Sequence, residues 1–171
     1  LLPLLSGCSG SGDSPDAAAT VTATATATVT ATVTSTPEPP KTPATAKPGT
    51  VVDGKTVSVA ALDYRTDVSQ YGKQPGTRLD SVLVKTCVTG RAVPLSWYPW
   101  SLIDKDSGLY PAESSTYGDY PLPQYPFGSD AKVRKGQCVQ GWIVFRVPEN
   151  ASLVAVQYAN QEDPTQAWRL R

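Results

Sequence analysis

The sequence predicts an all-β domain, a two-sheet sandwich carried behind a disordered N-terminal tether. Two observations lead there. From Val51 onward, β-branched and aromatic residues come in short runs punctuated by Gly, Pro and Asp. No segment of helical length shows a 3.6-residue apolar period. Runs of this kind at this spacing argue for a sandwich rather than a barrel or an α/β fold.

Taken in order, Thr56-Val-Ser-Val-Ala-Ala-Leu62 reads as the first strand. Leu79 to Thr89 is the clearest one, with Val82, Val84, Thr86 and Val88 on one face. Ala92-Val-Pro-Leu-Ser-Trp97 follows. Ser101-Leu-Ile-Asp104 enters a tight turn at Lys105-Asp-Ser-Gly108 and leaves through Leu109-Tyr110. Cys138 to Val147 is long and apolar, and Ser152 to Tyr158 and Gln166 to Leu170 complete the set. Gly108 is expected to supply the positive φ of its hairpin turn.

Ser9 to Thr50 is built from Ser, Thr, Ala, Gly and Pro with few charges. Between Thr20 and Thr36 almost every second residue is Thr, a period that by itself reads as a strand. The residues between are mostly Ala, however, which bury too little area to offset the ordering entropy. No turn lets the run pair with itself, and it flows into Thr36-Pro-Glu-Pro-Pro, a polyproline-type spacer. The segment is therefore read as a disordered linker, and Thr-rich stretches with Pro are also the usual substrate of O-glycosylation. The organisation expected is a truncated signal over 1–8, a linker over 9–50 and a folded domain over 51–171.

Leu5-Ser6-Gly7-Cys8 resembles the bacterial lipobox. In that class of signals small residues let the peptidase reach the backbone just before an acylated Cys. The resemblance implies a diacylglyceryl group on Cys8, and two acyl chains give a stable anchor where one does not. No Met or basic start precedes the apolar stub, so further residues are expected before Leu1. The competing reading is a stray thiol in a disordered end, and the polar tether after Cys8 favours the anchor.

The chain has 171 residues, 15 Lys plus Arg and 15 Asp plus Glu, for a formal net charge of zero. That excludes the basic footprint of a nucleic-acid binder. It has no His, so no Ser or Cys nucleophile can be paired with an imidazole base. Carboxylate-only hydrolysis stays formally open, but no acidic pair stands in a recognisable setting. Neither a cofactor nor a metal is expected.

Cys87 and Cys138 both sit inside expected strands, and in an oxidising compartment a disulfide is the natural reading. Two buried free thiols are the alternative. A metal site would need more ligands than two Cys and no His provide.

The runs Val84-Lys-Thr-Cys-Val-Thr-Gly, Val93-Pro-Leu-Ser and Leu102-Ile-Asp-Lys-Asp-Ser-Gly-Leu-Tyr110 are similar to the DUF4352-type lipoprotein domain. So is Lys135 to Pro148 with its closing strand from Leu153 to Tyr158. The resemblance covers roughly residues 55 to 170. It implies an MPT63-like, immunoglobulin-like β-sandwich on an exported protein, and no common activity.

Asp104-Lys-Asp-Ser-Gly108 begins like a calcium loop. Its fifth position is Gly108 and its twelfth Ser115, where an EF-hand needs an oxygen ligand and a bidentate Glu, so a hairpin turn is the better reading. Asn150-Ala-Ser152 matches a glycosylation acceptor by chance. Trp97, Trp100, Tyr110, Tyr117, Tyr120 and Tyr125, with Phe127, make an unusually aromatic loop region. Such rings can stack on sugars or anchor a protein partner, and the favoured alternative is that they cap the open end of the sandwich.

The function expected is a lipid-anchored, non-enzymatic binding or structural module on the outer face of the cell membrane, its partner an envelope protein or glycan. The alternative is a small-ligand carrier or sensor with a pocket of roughly 300 Å³ or more beside the aromatic loop.

Overall fold

The computed structural model describes residues 45–126 and 132–170. Cys8, the Thr-rich run and Phe127 lie outside the described residues. Eleven strands follow in chain order: β1 (Thr45–Ala46), β2 (Val52–Asp53), β3 (Val57–Arg65), β4 (Thr77–Val88), β5 (Val93–Pro94), β6 (Trp100–Asp104), β7 (Leu109–Pro111), β8 (Lys132–Val133), β9 (Cys138–Pro148), β10 (Leu153–Tyr158) and β11 (Gln166–Arg169). They form a five-stranded sheet, β1-β11-β10-β6-β7, a four-stranded sheet, β2-β3-β4-β9, and a small β5-β8 ribbon. The fold is an all-β, immunoglobulin-like sandwich.

Alternation of side chains along each strand explains the core. The inward positions of β3 and β4 are Val57, Val59, Ala61, Val82, Val84, Thr86 and Val88, all buried. β9 adds Ile143, Phe145 and Val147, and the facing sheet supplies Trp100, Leu102, Val156, Tyr158 and Trp168. Trp100 sits 5.0 Å from Tyr158 and 5.7 Å from Trp168, ring centre to ring centre. These three rings fill one end of the interior, and the Trp168 indole donates to the Thr50 carbonyl at 2.8 Å.

Two of the passages between the sheets tie their edges together, one at each seam. On one side β1 pairs parallel with β11 (Thr45 opposite Ala167), then Gly49 N–H donates to the Ala61 carbonyl and β2 pairs with β3. Thr45–Ala46, inside the segment read from the sequence as linker, are therefore a strand of the five-stranded sheet, and a turn over 47–50 leads from it to β2. A two-residue parallel pairing carries no composition signal, which is why the sequence does not show this strand. On the other side β7 pairs with β6, and the next residue, Ala112, bridges to Phe145 of β9.

Cys87 and Cys138 are directly opposite on β4 and β9 and form a disulfide, with Cα atoms 4.0 Å apart. The bond links neighbouring strands of one sheet rather than crossing the core.

The turn after β6 corrects one expectation. Positive φ falls on Ser107 (67°), not on Gly108. Gly108 is needed for space instead: a Cβ there would come within 2.7 Å of the Asp104 carboxylate. That carboxylate accepts from the backbone N–H of Asp106 (2.9 Å) and Gly108 (2.7 Å) and from the Tyr110 hydroxyl (2.7 Å). The D-x-D-x-G run is a self-satisfied Asx turn. The Tyr110 and Gly108 bonds hold the Asp104 carboxyl below its ordinary range.

Candidate functional site

The aromatic loop was the first candidate, and the structure distributes its residues. Trp97, Trp100, Tyr120 and Tyr125 are buried in the domain's own interior. Tyr125 reaches inward to donate 2.7 Å to the Thr86 hydroxyl, and burial pushes its phenol up. Tyr110 is bound to the Asp104 turn, and Tyr117 alone of the six is exposed, its ring 5.4 Å from that of Tyr120. Tyr120 packs with Leu79, Val144 and Val68 in a second small core on the outer face of the four-stranded sheet. Its hydroxyl is pushed up to about 12 by burial and the nearby Glu113 carboxylate.

The loop also seals a sheet edge. Glu113 N–H donates to Val144, Trp142 N–H to Pro123 and Tyr125 N–H to Trp142, at 2.7, 2.8 and 2.9 Å. Arg146 pairs with Glu113 at 2.6 Å. The free edge of β9 is thereby covered, the usual protection against edge-to-edge association. A Cβ on Gly141 would stand 2.4 Å from the Tyr125 backbone nitrogen, so only glycine lets the loop approach this closely. The cleft beside the loop, between Trp97, Tyr120, Gln124 and Trp142, encloses only about 10 Å³. That is room for one water, far short of a ligand pocket.

The large concavity lies elsewhere. A cleft of about 710 Å³ opens where β3 and β4 face β6, β10 and β11, with Ile103, Leu153, Ala155 and Leu170 as its apolar wall and Tyr64 and Arg169 at its sides. It shares Tyr64, Arg169 and Leu170 with an inner recess of about 250 Å³. That recess ends on Ala61, Val82 and Val156, residues of the core itself. The opening exists because β1 and β2 bridge only part of this seam, while β3 runs on to Arg65 and β11 stops at Arg169.

One wall of the cleft is a polar network buried in the sandwich. Asp80, fully buried on the inward face of β4, receives the Tyr64 hydroxyl at 2.6 Å and the Arg78 Nε at 3.1 Å. The rest of the Arg78 guanidinium is spent on the turn between β9 and β10, donating to the carbonyls of Pro148 (3.2 Å), Glu149 and Ala151 (3.0 Å). Burial, then the bond to Asp80, pushes the Tyr64 phenol well above its usual value. The network is closed: each member satisfies another, which is what a buried charge requires. The sequence reading missed it. Arg78 and Asp80 are two apart and share a face with Val82 and Val84, and charge at the inward phase of an apolar strand was the available signal.

At the opposite end, Asp163 accepts from the Lys55 backbone, from Thr56 Oγ1 (3.2 Å) and from Asn160 Nδ2 (3.0 Å), tying the β10–β11 loop to the turn before β3. Burial alone would raise its carboxyl, but these hydrogen bonds outweigh it and hold the group below the ordinary range. Among the described residues no three His, Cys, Asp or Glu side chains gather as a metal site.

The fold resembles that of MPT63. This secreted protein from Mycobacterium tuberculosis superposes with a TM-score of 0.57 at 16% identity, covering 75% of this chain and 98% of its own. The yjhA protein of Bacillus subtilis superposes with a TM-score of 0.53 at 11% identity, over 73% of this chain and 98% of its own. A candidate lipoprotein, ycdA of Bacillus subtilis subsp. subtilis str. 168, gives 0.52 at 15%, over 70% of this chain and 38% of its own. No protein-family model and no curated protein matches the sequence. At these identities the likeness is one of fold.

Proposed function

We propose that this chain is a lipid-anchored, extracytoplasmic module of the cell envelope, of the DUF4352 type, that acts by binding or by structure rather than by catalysis. The observation that carries the reading is the Cys87–Cys138 disulfide, a bond that persists on the oxidising side of the membrane and not in the cytosol. The Leu5-Ser6-Gly7-Cys8 lipobox supplies the anchor, and the polar segment after it supplies the reach. A fold shared with a secreted protein and a candidate lipoprotein is in keeping with that address. The partner is an envelope protein or glycan.

The test is metabolic labelling with a clickable fatty acid in cells expressing the gene with its full upstream start. Label on the wild type, lost in Cys8→Ala together with release into the medium, supports the anchor. Equal labelling of both, or of neither, refutes it.

The cleft beside Tyr64 favours a second reading, a small-ligand carrier or sensor. Its volume of about 710 Å³ lies in the range of ligand sites. The carrier reading moves with it, from the aromatic loop to the mouth between the sheets.

A further inference from the structure

The cleft is asymmetric in its chemistry. Three cations line it, Arg78, Lys105 and Arg169, against one carboxylate, Asp104. Asp104 is saturated by two backbone N–H groups and the Tyr110 hydroxyl, and Arg78 is committed to Asp80 and the turn carbonyls. Lys105 is engaged by its neighbour Asp106 at 2.6 Å. Arg169 differs. It is exposed, its Nε gives one long bond of 3.3 Å to Thr45 Oγ1, and its guanidinium has no ion-pair partner among the described residues. Beside it the cleft wall is aliphatic, through Ile103, Leu153, Ala155 and Leu170, and the recess beyond carries Ala61, Val82 and Val156 together with Asp63, whose carboxylate is paired with Arg65 at 3.6 Å.

A cation at the rim of a cleft with an aliphatic wall matches one kind of molecule. We infer that the cleft binds a single-chain anionic amphiphile, its head paired with Arg169 and its tail lying past Tyr64 and Leu170 toward Val82 and Val156. The aliphatic wall favours an alkyl tail over an acidic peptide, whose backbone groups would lie against side chains that cannot hydrogen-bond. The inference rests on the carrier reading and is independent of the anchor, since neither Arg169 nor the recess involves Cys8.

Isothermal titration of the full-length chain carrying Cys8→Ser, which removes its own lipid as a competitor, tests it. The probes are octyl phosphate, octanoate, octanol and inorganic phosphate. One-to-one binding of octyl phosphate or octanoate at least tenfold tighter than of octanol or phosphate is the expected result. A preference for octyl phosphate points to phosphate-headed lipids and a preference for octanoate to free fatty acids, and both support the site. Arg169→Gln lowers the affinity for the anionic probes about tenfold, the order of one charge-assisted hydrogen bond, and leaves octanol binding and the melting temperature unchanged. Leu170→Gln weakens every tailed probe. Equal affinity of wild type and Arg169→Gln for the anionic probes overturns the assignment. So does inorganic phosphate binding as well as octyl phosphate, or no response to either amphiphile from a chain that melts normally. Saturation by an acidic peptide without a response to the amphiphiles overturns it too. Failure of the Cys8 labelling leaves this measurement untouched.

Discussion

Tyr64 and Asp80 lie on neighbouring strands and meet inside the sandwich, the phenol donating a 2.6 Å hydrogen bond to a carboxylate that solvent does not reach. Arg78, two residues from Asp80, completes the pair on the same side. A buried charge held this way makes its partners costly to remove singly. Arg78→Ala strips the compensating cation and frees the β9–β10 turn carbonyls, and is expected to lower stability by about 3–5 kcal/mol. Tyr64→Phe removes one hydrogen bond and costs about 1–2 kcal/mol. Urea denaturation measures both, and an Arg78→Ala loss below that of Tyr64→Phe contradicts the network.

The cross-strand disulfide closes a loop with a sequence separation of 51. In the chain-entropy account such a closure contributes roughly 4 kcal/mol. Cys87→Ser with Cys138→Ser, or reduction of the wild type, is expected to lower stability by that order. Agreement between the mutant and the reduced wild type separates loss of the cross-link from any effect of the serines.

Gly141 is expected to tolerate no side chain. Its missing Cβ leaves room for the backbone of Gln124 and Tyr125, and Gly141→Ala must push the loop off β9. Loss of the Trp142 and Tyr125 hydrogen bonds with partial exposure of the Tyr125 ring predicts a cost of about 2–4 kcal/mol. Amide exchange reports where it falls, with the protection of Trp142 and Tyr125 lost first and that of β3 retained.

Asp163 gives the fold a pH dependence of known sign. Its hydrogen bonds hold the folded carboxyl below the ordinary carboxylate value. Its contribution is therefore complete above about 3.9, the unfolded value, and fades as pH falls through the lower folded one. Asp163→Asn is expected to cost about 2 kcal/mol at pH 7. The gap to wild type narrows below pH 3.8, and a gap that is constant from pH 7 to pH 2.5 contradicts the assignment.

The long strands were legible because their signals are local. Val82, Val84, Thr86 and Val88 alternate inward as the pattern requires, and Ser101 to Asp104 with Leu109–Tyr110 forms the expected hairpin. The short pairings of β1, β2 and β8 were not, since two residues cannot express a period. The aromatic residues were visible as a cluster, but composition does not say which way a ring points. Tyr125 turns inward because Thr86 offers a buried hydroxyl on an otherwise apolar face. The cleft was invisible because it is made by absence: β11 ends at Arg169 while β3 continues to Arg65, and no local pattern in either strand encodes that difference.

The two-residue pairing of β1 with β11 decides how the domain responds to tension. A pull through the N-terminal segment enters the fold at Thr45, and what resists it first is a ladder of two residues followed by the Gly49 bond to Ala61. That strip can peel and release roughly 20 Å of chain, six residues at about 3.4 Å each, before the pairing of β2 with β3 bears load. Beyond it the disulfide acts as a mechanical stop. Force transmitted along the backbone passes from Cys87 to Cys138 through the sulfurs, so the aromatic loop and the cover it gives β9 stay outside the line of load. The described domain is a short peelable lead in series with a cross-linked body.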